Sequence, residues 1–243
     1  MYKLTSILLL SILLFTGCKK TIHEMRTTAT INVVNAAINV PGIKVNPSGG
    51  PFIYAGNPDS VKFAANKFYF SPTDGSTITA IALPDTTKLL FNMGVNLRPA
   101  IYSMYVLGTS TAVDTMFREE INFPFISMNK VFTTADSVVN VRFINLSPNS
   151  VPVKIKIATA ATNEVDNLPY KTITDWKVYK AGPAATTTYS FQVRNAATDA
   201  LLSTFSFAAN DANRFKNVAL VIKGLQGTTT GINAFGLFAV NYF

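Results

Sequence analysis

Val151-Pro-Val-Lys-Ile-Lys-Ile157 places Val151, Val153, Ile155 and Ile157 on one side and Pro152, Lys154 and Lys156 on the other. Successive side chains of an extended chain point to opposite faces, so this stretch predicts a strand with one face on a core and the other in water. Residues 187–194 read the same way: Thr187, Tyr189, Phe191 and Val193 oppose Thr188, Ser190, Gln192 and Arg194. Working outward, similar patterns predict strands near 31–34, 60–70, 77–83, 87–92, 101–107, 113–118, 138–146, 200–207, 217–223 and 234–243. Clusters of Pro, Gly, Asn and Asp at 46–51, 71–75, 147–150 and 181–183 separate them as turns. No segment keeps a helical period of 3.6, so the chain is read as all-β and antiparallel.

The middle of the chain reads as a boundary. Residues 119–137 mix charge, Pro124 and a polar Thr133-Thr-Ala-Asp136, and a fresh strand follows. Across that boundary, Ile31-Asn-Val-Val-Asn35 and Ile43-Lys-Val45 align at a constant offset with Val141-Arg-Phe-Ile-Asn145 and Val153-Lys-Ile155. Tyr102-Ser-Met-Tyr-Val106 also echoes Tyr189-Ser-Phe-Gln-Val193. These matches predict an internal repeat: two tandem β-sandwiches over 29–128 and 136–243, of about seven strands each.

The N-terminus carries a different signal. Lys3 precedes the apolar run Ile7-Leu-Leu-Leu-Ser-Ile-Leu-Leu-Phe-Thr-Gly-Cys18, which is followed by Lys19 and Lys20. The run falls short of the roughly 20 residues that cross a bilayer, and it reads as an export signal. Phe15-Thr-Gly-Cys18 resembles the lipobox of bacterial lipoproteins, which implies a signal peptide over 1–17 and a lipid-bearing Cys18, the only cysteine in the chain. Two or more acyl chains hold a folded domain firmly at a membrane without a spanning segment. The expected location is the bacterial cell envelope, anchored by lipid at the outer membrane. A polar tether over 18–28 would follow; it lacks an acidic cluster, so the face of the membrane is left open.

Composition excludes several functions. The formal charge is +8, but the cations are scattered and no basic run is interleaved with aromatics, so nucleic acid is not an expected partner. With Cys18 lipidated, no disulfide is available and packing alone must stabilise the fold. The only histidine, His23, lies in the tether, which removes Ser-His-Asp, Cys-His and His-ligated metal chemistry. Among carboxylates, Glu119 and Glu120 would point to opposite faces, while Glu164 and Asp166 precede a proline in an expected loop. Both pairs are read as solvated surface charge. No EF-hand pattern occurs, although loop carboxylates from separate strands could still hold calcium. No cofactor and no metal is expected, and the chain is not read as an enzyme.

Val141-Arg-Phe-Ile-Asn-Leu-Ser-Pro148, followed by Val153-Lys-Ile155, Leu168-Pro-Tyr170, Asp175-Trp176, Ala181-Gly182 and Tyr189-Ser-Phe-Gln-Val193, resembles the domain-of-unknown-function family 4397. The resemblance covers 138–243 and, more faintly, 30–127. It implies an immunoglobulin-like sandwich, places Tyr170 and Trp176 in the core, and carries no activity. Here several extra residues separate Gly182 from Tyr189, and Asn213-Arg-Phe215 stands where the family has a Gly-Lys-Tyr-like strand entry. The competing reading makes Tyr170, Trp176 and Tyr179 a ring platform for sugars. Phe123, Phe125 and Ile126 are expected at an interdomain contact. The functional expectation is a non-enzymatic binding or structural module with an unidentified protein or glycan partner; the alternative is a carbohydrate-binding accessory lipoprotein.

Overall fold

The computed structural model describes residues 27–52, 59–73, 75–121, 124, 137–182 and 188–242. Cys18, His23, Phe123, Phe125 and Ile126 lie outside the described residues. The first half contains β1 (Thr28–Asn35), β2 (Gly42–Asn46), β3 (Val61–Lys62), β4 (Ala65–Pro72), β5 (Ser76–Leu83), β6 (Leu89–Val95), β7 (Ile101–Thr109) and β8 (Ala112–Glu119). The second contains β9 (Val138–Asn145), β10 (Val153–Ile157), β11 (Asn163–Leu168), β12 (Thr172–Ile173), β13 (Lys177–Lys180), β14 (Thr188–Asn195), β15 (Leu201–Ala208), β16 (Asn217–Lys223) and β17 (Gly236–Asn241). The described chain is all-β.

Each half folds two sheets over a core. In the first half the sheets run β4-β1-β7-β8 and β3-β2-β5-β6; in the second they run β12-β9-β16-β17, with β13 also on β9, and β11-β10-β14-β15. The two halves therefore have the same strand order. Three local devices recur at matching places. Asn35 ends β1 and donates Nδ2 to the Val61 carbonyl at 3.2 Å, while its Oδ1 accepts from the Ala37 amide. Asn145 ends β9 and donates to the Leu168 carbonyl at 3.1 Å, while its Oδ1 accepts from the Ser147 amide. Gly108 (φ 81°) and Gly224 (φ 83°) close the next matching ends. A Cβ there would lie 2.4 Å from the Ala112 carbonyl oxygen and 2.2 Å from that of Ala234, so no other residue fits either place. Register slips fall between Ala80 and Ile81 on β5 and between Val193 and Arg194 on β14.

Four sequence expectations change. The strand expected over 60–70 is broken by a turn at Ala64 (φ 57°), whose amide donates to the Asn35 carbonyl, and it becomes β3 and β4. Glu164 and Asp166 lie on strand β11, not in a loop. The Tyr102 and Tyr189 echo joins strands that do not correspond: Tyr102 is on β7, whose counterpart is β16, and Tyr189 is on β14, the counterpart of β5. The sheets are not purely antiparallel, since β1 pairs with β7 and β9 with β16 in parallel.

Those parallel pairs mark where the halves meet. On β9, Val139, Val141 and Phe143 enter the core of the second sandwich; on β1, Ile31 and Val33 enter that of the first. A free-standing sandwich would put water on the other face. Instead Val34, Tyr105 and Leu107 from the first half pack with Ile144, Ala219, Val221, Val240 and Tyr242 from the second in a third core. Buried on both faces, β1, β7, β9 and β16 carry apolar residues at successive positions, as in Val33-Val34, Phe143-Ile144 and the run Val218-Ala-Leu-Val-Ile222. Among the described residues, eleven buried ones line this third core, against fourteen in the core of the first sandwich, so the junction is built like a domain interior.

Candidate functional site at the junction and loop end

Strand alternation sends Arg142 away from the Val141 and Phe143 core and into the junction, where its side chain is 2% exposed. A lone cation there would cost several kcal/mol in lost hydration, so it needs a buried counter-charge. Glu120 supplies it. The residue follows β8 directly, its side chain is 1% exposed, and it corrects the expectation of a solvated carboxylate. Arg142 Nη1 donates to Oε2 at 2.8 Å and Nη2 to Oε1 at 2.6 Å, a two-pronged pairing that fixes orientation as well as charge. Glu119, as expected, points the other way and pairs with Arg98 at 2.8 and 2.5 Å.

Hydroxyls complete the cluster. Nη2 of Arg142 also donates to the Tyr242 oxygen at 2.8 Å and the Tyr105 oxygen at 3.0 Å, and the two tyrosine oxygens lie 2.7 Å apart. Ser103 Oγ donates to Glu120 Oε1. Burial pushes the Glu120 carboxyl upward, but the hydrogen bonds and charge of Arg142, with the Ser103 hydroxyl, outweigh it and leave the group below the ordinary carboxylate value. Burial would strip Arg142 of its proton, yet Tyr105, Glu120 and Tyr242 together hold its affinity for the proton above the ordinary arginine value. Tyr105 is held well above the usual phenol value by burial first and by Tyr242 second.

Ser103 is the hydroxyl bonded to the carboxylate, and both groups are buried. The carboxylate is neutralised by Arg142, and the members of the cluster come from both halves, so it ties them together. Among the described residues, no three of His, Cys, Asp and Glu come together as metal ligands.

Two of the three predicted ring residues reach this junction. Trp176 is half-buried; the Arg142 guanidinium carbon lies 4.4 Å from its ring centroid, and Tyr242 meets it edge-on at 5.8 Å. Tyr170 is half-buried against the same apolar core, with its phenol raised by burial and then by the Asp114 charge. Tyr179 does not join them. It sits on β13 facing the opposite side of the sheet, 7% exposed, with its ring edge-on to Phe191 at 5.6 Å. Its hydroxyl donates to Glu164 Oε2 at 2.7 Å. Sequence reasoning missed Arg142, Glu120, Tyr105 and Tyr242 as a unit. The available signal was an arginine set between Val141 and Phe143.

A second feature lies at the end of the molecule where β1, β9 and β16 finish. Asn39 and Asn233 bridge the halves there: the Asn39 amide donates to Asn233 Oδ1 at 3.2 Å, and Asn233 Nδ2 donates to Asn39 Oδ1 at 2.6 Å. Thr28, at the start of β1, stands at the opposite end. Beside this bridge, Asn149 Nδ2 donates to the Gln226 carbonyl at 3.2 Å and the Gln226 amide returns a bond to Asn149 Oδ1 at 2.8 Å. The paired loops wall a groove of about 550 Å³, lined among others by Val151, Leu201, Thr228 and Phe235. A second groove of about 540 Å³ lies on the other side of Val151, between Asn167 and Ala197. No protein-family model matches the chain, and no curated protein matches it.

Proposed function

We propose that the chain is a lipid-anchored protein of the bacterial cell envelope that acts as a non-enzymatic binding or structural module. The observation that carries this reading is polarity of placement. The described fold begins with β1 at Thr28, next to the expected tether in sequence, and the grooved loops lie at the other end of β1. The buried Arg142 and Glu120 pair joins the halves, so their loop ends are held side by side. The divergence of Glu119 and Glu120, each neutralised by its own arginine, supports a role without acid–base chemistry. The resemblance of 138–243 to the domain-of-unknown-function family 4397, common in exported bacterial lipoproteins, is in keeping with it.

Changing Cys18 to Ala tests the anchor: the protein should move from the membrane pellet to the soluble fraction, and continued retention would contradict it. Crosslinking in intact cells tests the module, which should be recovered with an envelope partner. A second reading, carbohydrate binding, is favoured by the half-exposed Trp176 and Tyr170 at the junction. Trp176 is the only tryptophan, so a glycan that stacks there should change its fluorescence; a flat response across a panel would remove that site.

A further inference from the structure

We infer that the two grooves flanking Val151 form one extended site for an uncharged oligosaccharide, a deepening that rests on the binding-module reading and places the ligand away from Trp176. Charge points there first. Lys, Arg, Asp and Glu make up 14% of the chain, and the net charge is +8. Yet the loops 36–41, 146–152 and 224–235, which meet at this end, contain none of them, and Asp199 on the adjoining β14 to β15 turn is paired with Lys154 and Arg194. Of the described residues lining the two grooves only Asp166 is charged, and its Oδ1 already accepts from Asn163 Nδ2 at 2.8 Å. A site for an acidic or basic ligand would carry the opposite charge. This one carries amides, hydroxyls and hydrocarbon.

The arrangement of those groups points the same way. A pyranose presents a ring of hydroxyls around an apolar C–H face. The first groove offers the counterpart: Val151, Leu201 and Phe235 supply apolar surface, while Thr228, Thr229 and the Asn149–Gln226 pair supply neutral donors and acceptors. Leu201 is 52% exposed and Val151 37% exposed, hydrocarbon held in water that a docked sugar face would cover. The amide pair is also rigid, because the Val151 amide donates to Gln226 Oε1 at 2.9 Å and ties the ridge to the loop opposite.

Length sets the size of the ligand. Each groove falls within the roughly 300–1,000 Å³ range of ordinary ligand sites, and Val151 lines both. A chain of several sugar units laid across Val151 would use both grooves, and a disaccharide only one.

The test uses the full mature chain carrying Cys18→Ala, titrated calorimetrically with maltohexaose, cellohexaose, xylohexaose and chitohexaose. The matching disaccharides and an oligogalacturonate serve as the short and the charged arms. At least one neutral hexaose should bind at least tenfold more tightly than its disaccharide, with the oligogalacturonate weaker than either. Val151→Arg and Leu201→Glu, both at exposed positions, should each lower that affinity at least tenfold with an unchanged melting temperature, and Trp176→Phe should not. Binding to none of the neutral probes, preference for the anionic one, or loss of binding in Trp176→Phe but not in Val151→Arg would overturn it. Should Val151→Arg prove unstable, Leu201→Glu alone decides. A negative titration together with membrane release by Cys18→Ala and crosslinking to an envelope partner would remove the groove assignment and leave the proposed function standing.

Discussion

Replacing Arg142 with methionine keeps most of the side-chain volume and removes the charge opposite Glu120. The carboxylate would then remain in the junction with only Ser103 and the more exposed Arg118, 3.9 Å away, to offset it. Breaking a buried ion pair on one side costs about 3–5 kcal/mol, because the surviving charge is neither hydrated nor matched. For a chain of this size each kcal/mol shifts the melting temperature by about 2–4 °C, so Arg142→Met should lower it by roughly 6–20 °C. Guanidinium titration followed through Trp176, whose ring lies 4.4 Å from the Arg142 guanidinium carbon, reads the junction directly. The double variant Glu120→Leu with Arg142→Met removes both charges and should recover most of the loss, since apolar replacements of buried pairs are often neutral or stabilising. A single variant that loses less than about 1 kcal/mol, the size of an exposed salt bridge, would refute the buried pairing.

The pH dependence follows from the same pair. Glu120 is held below the ordinary carboxylate value, so its contribution is full above that value and is lost as pH falls through its lower folded value. The wild type should therefore lose more stability on acidification than the double variant, measured by melting temperature between neutral and acid pH. At the alkaline end, Tyr105 and Tyr179 are raised chiefly by burial, and spectrophotometric titration should find them resisting ionisation after exposed tyrosines have titrated. Asn145→Ala should destabilise by about 1–3 kcal/mol, leaving the buried Leu168 carbonyl without its amide partner, as read by urea denaturation. Gly224→Ala should cost more than the roughly 1–2 kcal/mol of holding an L-residue in the left-handed region, because the new methyl would also overlap the Ala234 carbonyl; an unchanged melting temperature would show that the turn is free to move.

Most of the strands were legible because alternation is a local property. Val153, Ile155, Phe191 and Val193 face the core of the second sandwich as their spacing requires. The repeat was legible where matching residues play the same structural part. Asn35 and Asn145 align in sequence because each closes the end of its sandwich. Where a match rested on composition alone, as for Tyr102 and Tyr189, it joined unrelated strands. The break at Ala64 was hidden, because a residue with φ of 57° leaves no mark when it is neither Gly nor Asn.

The junction was the least legible part. Its members come from β7, the residue after β8, β9 and the chain end, brought together by packing between sheets rather than by spacing. Glu120 looked solvated beside Glu119, and only the position of Arg142 between Val141 and Phe143 hinted at a buried charge. Tyr179 parts from Trp176 and Tyr170 for a simple reason of parity. Trp176 and Tyr179 are an odd number of residues apart, and β13 turns Tyr179 to the opposite face.

If lipid on Cys18 anchors the protein as proposed, the β1 start should lie nearer the bilayer than the loop end. Lipidated protein in vesicles, labelled through Ala161→Cys on the β10 to β11 turn or Ala197→Cys on the β14 to β15 turn, allows energy transfer to a dye at the bilayer surface to measure both heights. The eight residues of β14 separate the two ends by about 26 Å at roughly 3.3 Å per residue. Transfer should be efficient from position 161 and much weaker from position 197. Equal transfer from both, the reverse order, or no association with the vesicles would contradict that placement.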